Sequence, residues 1–439
     1  MEELARESIS LLGRSVEGGT PSLSSIGAIF IMLKSALGAG LLNFPWAFNK
    51  VGGTNTAIMV ELGSLIFLIS GLVSLGYASS LSKQSTYQGV VKDLCGPAIG
   101  KLCGICYIIN LFMICVAFLR VVEDQLEKLC DSLHSNSTLY AMSEASQPWY
   151  MDQRFSMTVL CLVMIFPLSI PKEISFQKYT SILGTLAACY LTVMIIVKYY
   201  VMEHPVITKH EFSSSAASWA SMFSVVPTIC FGFQCHEACI TIYSSMKNKC
   251  LSNWAAVSVF SMLICLLIYS LTGIYGSLTF GEAVAADILM SYPGNDVAVI
   301  IARLLFTVSI VTIYPIILLL GRSVIQEAWL NHRKKSLFVT SSYERCVRVV
   351  ITVLWILVTL LIALFVPDIS EVISVIGGIS AFFIFIFPGL CLICAIESEP
   401  MNPKVKSCLT AWGIISVVCG AFIFGQSTTI AIMEIIAKF

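Results

Sequence analysis

The sequence predicts an all-α protein that crosses a membrane many times, and three observations carry that expectation. The chain has 439 residues, 57% hydrophobic and only 12% charged, whereas soluble domains carry roughly 25% charged residues. Apolar runs of about 20 residues, the length a helix needs to cross a bilayer, recur almost throughout. Lysine and arginine gather on alternate connecting segments, the bias that orients membrane helices. Formal net charge is zero, and no basic patch interleaved with aromatics offers a nucleic-acid surface.

Eleven spans are expected: Ser25–Phe48, Thr56–Leu81, Ile99–Val122, Phe155–Ile170, Ile182–Val201, Ser218–Tyr243, Ala255–Phe280, Ala298–Leu320, Val347–Val366, Ile369–Ile396 and Leu409–Glu434. With the N-terminus inside, the inner segments collect 17 lysines and arginines and the outer ones 7. The N-terminus is therefore expected in the cytoplasm and the C-terminus outside. The sequon Asn136-Ser137-Thr138 falls in an outer loop on this topology, as a glycosylation site requires. Residues 1–23 read as a cytoplasmic tail without the apolar core of a signal peptide. Residues 24–202 read as a first five-helix repeat, 203–217 as an extracellular loop and 218–396 as a second repeat. Residues 397–439 hold the eleventh helix and the C-terminus.

Seventeen cysteines lie nearly all in apolar segments, where Cys acts as a small hydrophobe. Cys103-x-x-Cys106 and Cys391-x-x-Cys394 have redox or metal spacing, but the sequence gives neither a polar partner. Cys130 is expected in an outer loop, with no evident partner.

Two spans are written against helix. The first carries Gly38, Ala39 and Gly40 in succession and Pro45 soon after. Glycine weakens a helix by about 1 kcal/mol against alanine, and proline removes a backbone donor. The sixth carries Pro227, Gly232, Gln234, His236 and Glu237. Interrupted backbone at membrane depth is tolerated only where it faces protein, ligand, ion or water. A pair of interruptions at matching positions in two halves points to an inverted-repeat transporter and its binding site. On this reading the amides near Gly38, Ala39 and Gly40 take a substrate carboxylate. Carbonyls near Phe231, Gly232 and Phe233 take its ammonium. The plainer reading of the glycines is close packing of helices.

Lys34 lies one turn before Gly38. Its ammonium either occupies or modulates a coupling-cation site, or reaches the inner headgroups. His236 and Glu237 read as gating or pH-sensitive groups, or as a cap and a pair at a half-helix end. Ser309 and Thr312 offer oxygens to a sodium ion, or bond back to their own helix. Glu61 and Asn110 are polar residues within spans that the sequence leaves unassigned. No nucleophile–base pair or metal cluster suggests an enzyme, and no cofactor is expected.

The motifs Lys34-Ser35-Ala36-Leu37-Gly38-Ala39-Gly40-Leu41-Leu42-Asn43-Phe44-Pro45 and Phe231-Gly232-Phe233-Gln234-Cys235-His236, with Ile242-Tyr243, together resemble the sodium-coupled neutral amino acid transporter family. This is the system A/N branch of the amino acid/auxin permeases, and the resemblance covers essentially the whole chain. It implies a LeuT-like five-plus-five inverted repeat with helices one and six broken, in the plasma membrane. It implies sodium-coupled uptake of neutral amino acids such as glutamine and alanine, with sodium held between helices one and eight. Two positions depart from the pattern. Many members have asparagine where this chain has Lys34, and lysine there is similar to the proton-coupled amino acid transporters, which leaves the coupling ion open. Many have Pro-Glu after the histidine where this chain has Glu237-Ala238, which opens the range to charged amino acids. A sensor that binds amino acid with little flux is the reading from another class.

Overall fold

The computed structural model describes residues 23–51, 53–135, 153–171, 177–202, 223, 225–334, 341–365 and 369–436. Asn136, the tail up to residue 22 and the expected loop 203–217 lie outside them. The helices in order are α1 (Ser25–Ala36), α2 (Phe44–Lys50), α3 (Thr54–Ser82), α4 (Tyr87–Cys95), α5 (Pro97–Ser135), α6 (Gln153–Leu160), α7 (Phe166–Ser169), α8 (Gln177–Val201) and α9 (Val226–Gly232). There follow α10 (His236–Ser245), α11 (Leu251–Phe280), α12 (Ile288–Ser291), α13 (Val297–Lys334), α14 (Ser341–Phe365), α15 (Ile369–Ala381), α16 (Phe387–Glu397) and α17 (Pro403–Ile436).

Local chemistry sets the ends. Ser24 caps α1 by accepting from the Gly27 amide at 3.1 Å, and Thr86 caps α4 by accepting from the Gly89 amide at 3.2 Å. Such caps satisfy amides that the first turn leaves unbonded. Helix α4 stops at Gly96, whose φ of +91° suits a residue without a Cβ, and Pro97 opens the next helix.

Eight helical stretches among the described residues are long and apolar enough to cross a membrane, one of them, Val372–Glu397, running from α15 through a π segment into α16. A ninth span is counted if Ser25–Ala36 and Ala39–Lys50, which meet at a bend of 52°, are taken as one. Two expected spans look different in the structure. The fourth is a short apolar stretch, Arg154–Ser169, with a wide π segment at Cys161–Ile165. The sixth is described from residue 223 and consists of the two short helices α9 and α10. Two others overrun their expected ends. Helix α5 continues past Val122 through polar sequence, supported by Arg120 pairing with Glu123 at 2.9 Å and with Asp124 at 2.5 Å. Helix α13 runs unbroken through Pro315 to Lys334.

The packing forms two groups. Helix α11 lies against α1, α2 and α3, and α10 lies against α1 and α3. Helices α5, α13 and α14 pack on one another. Helix α8 touches both groups, through α11 and α13, and α15 joins α9, α5 and α17. Large apolar side chains such as Ile66, Leu267, Phe365 and Val418 face outward and exposed, as a lipid-facing surface requires.

Candidate functional site

Helix α1 ends at Ala36, Gly38 is fully extended, and the chain re-enters a 3₁₀ turn at Ala39–Asn43 before α2, with Pro45 in the first turn of α2. Helix α9 likewise starts with Pro227 in its first turn and ends at Gly232. Three non-helical residues follow before α10. The two interruptions touch. A Cβ built on Gly40 would lie 2.9 Å from the Gly232 Cα, and one on Gly232 would lie 2.5 Å from the Phe44 ring. Here the absence of a side chain is what permits the approach.

A single hydroxyl ties the two ends together. Tyr269 of α11 is fully buried, and its OH lies 2.8 Å from the carbonyl oxygens of both Ala36 and Gly232. These are the last carbonyls of α1 and α9, groups that a helix end leaves without a partner. The Tyr269 ring stacks on Phe44, with centroids 4.1 Å apart, and tilts against Phe233 at 4.8 Å. A second tie lies one turn further on. Thr228 donates to the Asn43 Oδ1 at 3.1 Å, and the Asn43 amide donates to the Ala286 carbonyl at 2.8 Å.

Beside these ends is a cavity of about 200 Å³. Gly38, Ala39, Gly40, Phe231, Lys34 and Glu237 all line it. Its opposite wall is apolar, from Leu111, Ile114 and Phe118 of α5 and Ile313, Ile316 and Ile317 of α13. The Glu237 carboxylate accepts from the Asn110 amide of α5 at 2.6 Å. Gln234, also on the wall, accepts from Ser380 at 2.6 Å. Lys34 has no carboxylate within 4 Å among the described residues.

Tyr107, Glu237, Thr241 and Leu320 are shared with a second, wider space of about 560 Å³, bounded by α4 and by Lys92 and Lys101. The opposite end of the bundle is packed with polar ties. Asp287 accepts from Gln125 at 2.6 Å and from the Leu289 amide at 2.9 Å. Arg303, fully buried in α13, donates to the carbonyls of Leu289 and Tyr292 at 2.9 and 3.0 Å.

The remaining predicted residues lie elsewhere. Gly232 and Phe233 are packed behind the cavity, against Phe44 and Tyr269. His236 is buried against α3, with Nε2 3.0 Å from the Leu68 carbonyl. The Thr312 hydroxyl reaches the carbonyls of Val308 and Ser309, both at 2.9 Å. The Ser309 hydroxyl lies on the side of α8, 3.3 Å from where a Cβ at Gly184 would be. Neither of these two lines the cavity. Sequence reasoning missed Tyr269 and left Asn110 and Glu61 unassigned. Glu61 is fully buried in α3 and accepts from Ser270 of α11 at 2.7 Å. Nothing in the local sequence marks Tyr269, because its partners are backbone atoms more than 35 residues away. Among the described residues, no group of three His, Cys, Asp or Glu is placed to hold a metal.

The family described as transmembrane amino acid transporter protein matches residues 22–433. The chain belongs to that family. The protein named "Putative sodium-coupled neutral amino acid transporter 8" of Xenopus tropicalis is 91% identical over 100% of both chains. Solute carrier family 38 member 8 of Homo sapiens is 61% identical over 94% of each. Sodium-coupled neutral amino acid transporter 7 of Danio rerio is 44% identical over 95% of this chain and 88% of its own. The crystal structure of MhsT in complex with L-phenylalanine superposes with a TM-score of 0.59, over 93% of this chain and 100% of that one, at 14% identity. At that identity the likeness concerns the fold alone.

In the transporter, Tyr269→Phe keeps the ring and removes the shared donor. Leaving a buried carbonyl undonated costs about 1–3 kcal/mol, so the thermal unfolding midpoint in detergent is expected to fall. An unchanged midpoint would show that the hydroxyl does not hold the two ends.

Proposed function

We infer that the chain is a secondary active transporter that couples sodium to the uptake of neutral amino acids by alternating access. Glutamine and alanine head the substrates, with some charged amino acids admitted. The observation that carries this reading is one cavity lined by both interruptions, with Lys34, Gly38, Ala39, Gly40 and Phe231 on its wall. The likeness to named sodium-coupled relatives supports the choice of ion and substrate class. The α-amino acid backbone is the common ligand. Its carboxylate suits the first amides of the Ala39–Asn43 turn, which have no partner within the turn. Its ammonium suits carbonyls near Phe231, since the Gly232 carbonyl is already engaged by Tyr269. Phe233 then acts by packing, and Gly232 by letting Phe44 approach. Glu237, with Asn110, faces the side-chain end, and His236 steadies α10 against α3.

The same reading makes the α1–α2 and α9–α10 pairs the broken first and sixth helices of a five-plus-five repeat with eleven helices. The N-terminus lies in the cytoplasm and the C-terminus outside, with a glycan on Asn136 and the chain in the plasma membrane. The wider space beside Lys92 and Lys101 is then the cytoplasmic vestibule, and the conformation is open inward. Sodium is a co-substrate. Ser309 and Thr312 of α13 are its protein ligands on this reading, although the Thr312 hydroxyl is engaged with its own helix. Proton coupling is the second reading. Two observations favour it: an ammonium from Lys34 on the cavity wall, and a buried carboxylate at Glu61 with no cationic partner among the described residues.

Uptake into vesicles reconstituted with the purified protein tests this, with sodium and pH gradients imposed separately. Accumulation of glutamine or alanine is expected to follow the sodium gradient. Accumulation that ignored sodium and followed the pH gradient would select proton coupling. Binding without accumulation under either gradient would overturn transport and leave the sensor reading. Lys34→Asn is expected to change the ion dependence of uptake. An unaltered sodium response and affinity would remove Lys34 from the coupling site.

A further inference from the structure

The sequence leaves Cys391-x-x-Cys394 without a partner, and the structure supplies one. Cys95, the last residue of α4, places its Sγ 3.8 Å from the Sγ of Cys391 in α16. Cys391 is buried, while Cys95 and Cys394 are half-buried. We propose that Cys95 and Cys391 are a modification site, joined as a disulfide by hydroperoxides, and that the bond pins α4 to α16 and arrests transport.

Three features support the site. The hydrogen bond with Cys391 holds the Cys95 thiol below its ordinary value, against burial, which pushes it up; Cys394 adds to the lowering. A lowered thiol carries more thiolate, the reactive form. Disulfide sulfurs sit about 2.05 Å apart, so the pair must close further. The next residue, Gly96, forms an open joint between α4 and α5, with nothing within 4 Å of where its Cβ would be. Finally, Thr86, Tyr87, Gln88, Gly89 and Lys92, at and just before α4, line the wider space beside the cavity. A bond from α4 to α16 fixes one wall of that space. On the topology proposed above the pair faces the cytoplasm, where disulfides are usually transient and redox-sensing.

The chemistry balances. The Cys95 thiolate attacks one peroxide oxygen and the O–O bond breaks. This gives the Cys95 sulfenic acid and, after protonation, an alcohol or water. The Cys391 sulfur then attacks the Cys95 Sγ, forming the S–S bond and expelling hydroxide, which takes the Cys391 proton and leaves as water. Two thiols lose two electrons and two protons in all, and the peroxide is reduced.

The test treats the full chain in reconstituted vesicles with hydrogen peroxide, then maps its cysteines by mass spectrometry and measures amino acid uptake. A Cys95–Cys391 linked peptide is expected, together with loss of most uptake. A thiol reductant should reverse both. Cys95→Ser should abolish the linked peptide and keep uptake under peroxide. Cys95 recovered as a free thiol, while the exposed Cys408 is oxidised, would overturn the proposal. So would a linked peptide with undiminished uptake. The mapping needs no transport, so its failure is distinct from failure of the transporter reading.

Discussion

The Tyr269 hydroxyl is the contact on which the centre of the molecule depends. Two helices stop inside an apolar bundle, and each leaves end carbonyls that lipid cannot satisfy. One buried donor lies 2.8 Å from the last carbonyl of each. That tyrosine sits on α11, which also packs against α1, α2 and α3. Its placement therefore fixes the spacing between the interruptions as well as their chemistry. Phe44 and Phe233 clamp its ring, and glycine at positions 40 and 232 lets the backbones close around it. Asn43 and Thr228 repeat the tie one turn away.

Given that frame, the cavity has a definite character. One wall is interrupted backbone, with Lys34 and Glu237 as its titratable groups, and the other is aliphatic and aromatic side chains from α5 and α13. A zwitterion with a modest side chain has the matching chemistry, with polar ends toward the backbone and the rest toward α5 and α13. The end bearing α12 is stitched by Asp287, Gln125 and Arg303, whereas the α4 end opens into the wider space. The proposed alternating-access reading requires such an asymmetry of any one state.

Much of the fold was legible because it follows from composition and period. Apolar length marked the long helices, and Gly38, Gly40 and Gly232 marked the places where helix fails. Gly38, Ala39, Gly40 and Phe231, singled out from those breaks, line one cavity; Lys34 and Glu237, read from the sequence as coupling and gating groups, line it too. Side-chain direction was not legible. His236 and Glu237 are neighbours in sequence, yet one turns to Leu68 and the other to Asn110 and the cavity. Along α13, Ile313 and Ile316 line the cavity and Ser309 and Thr312 do not, a helix phase that the sequence alone does not give. Contacts between distant segments, such as Tyr269 with Ala36 or Cys95 with Cys391, leave no local pattern to read.

The central claim is that the two interruptions together hold the amino acid. An experimental structure of the protein with sodium and a bound substrate amino acid tests it most directly. The account predicts ligand density between Gly38–Gly40 and Phe231, its carboxylate on the amides of the Ala39–Asn43 turn. Density confined to the wider space beside Lys92 and Lys101, with the interruptions unoccupied, would contradict it.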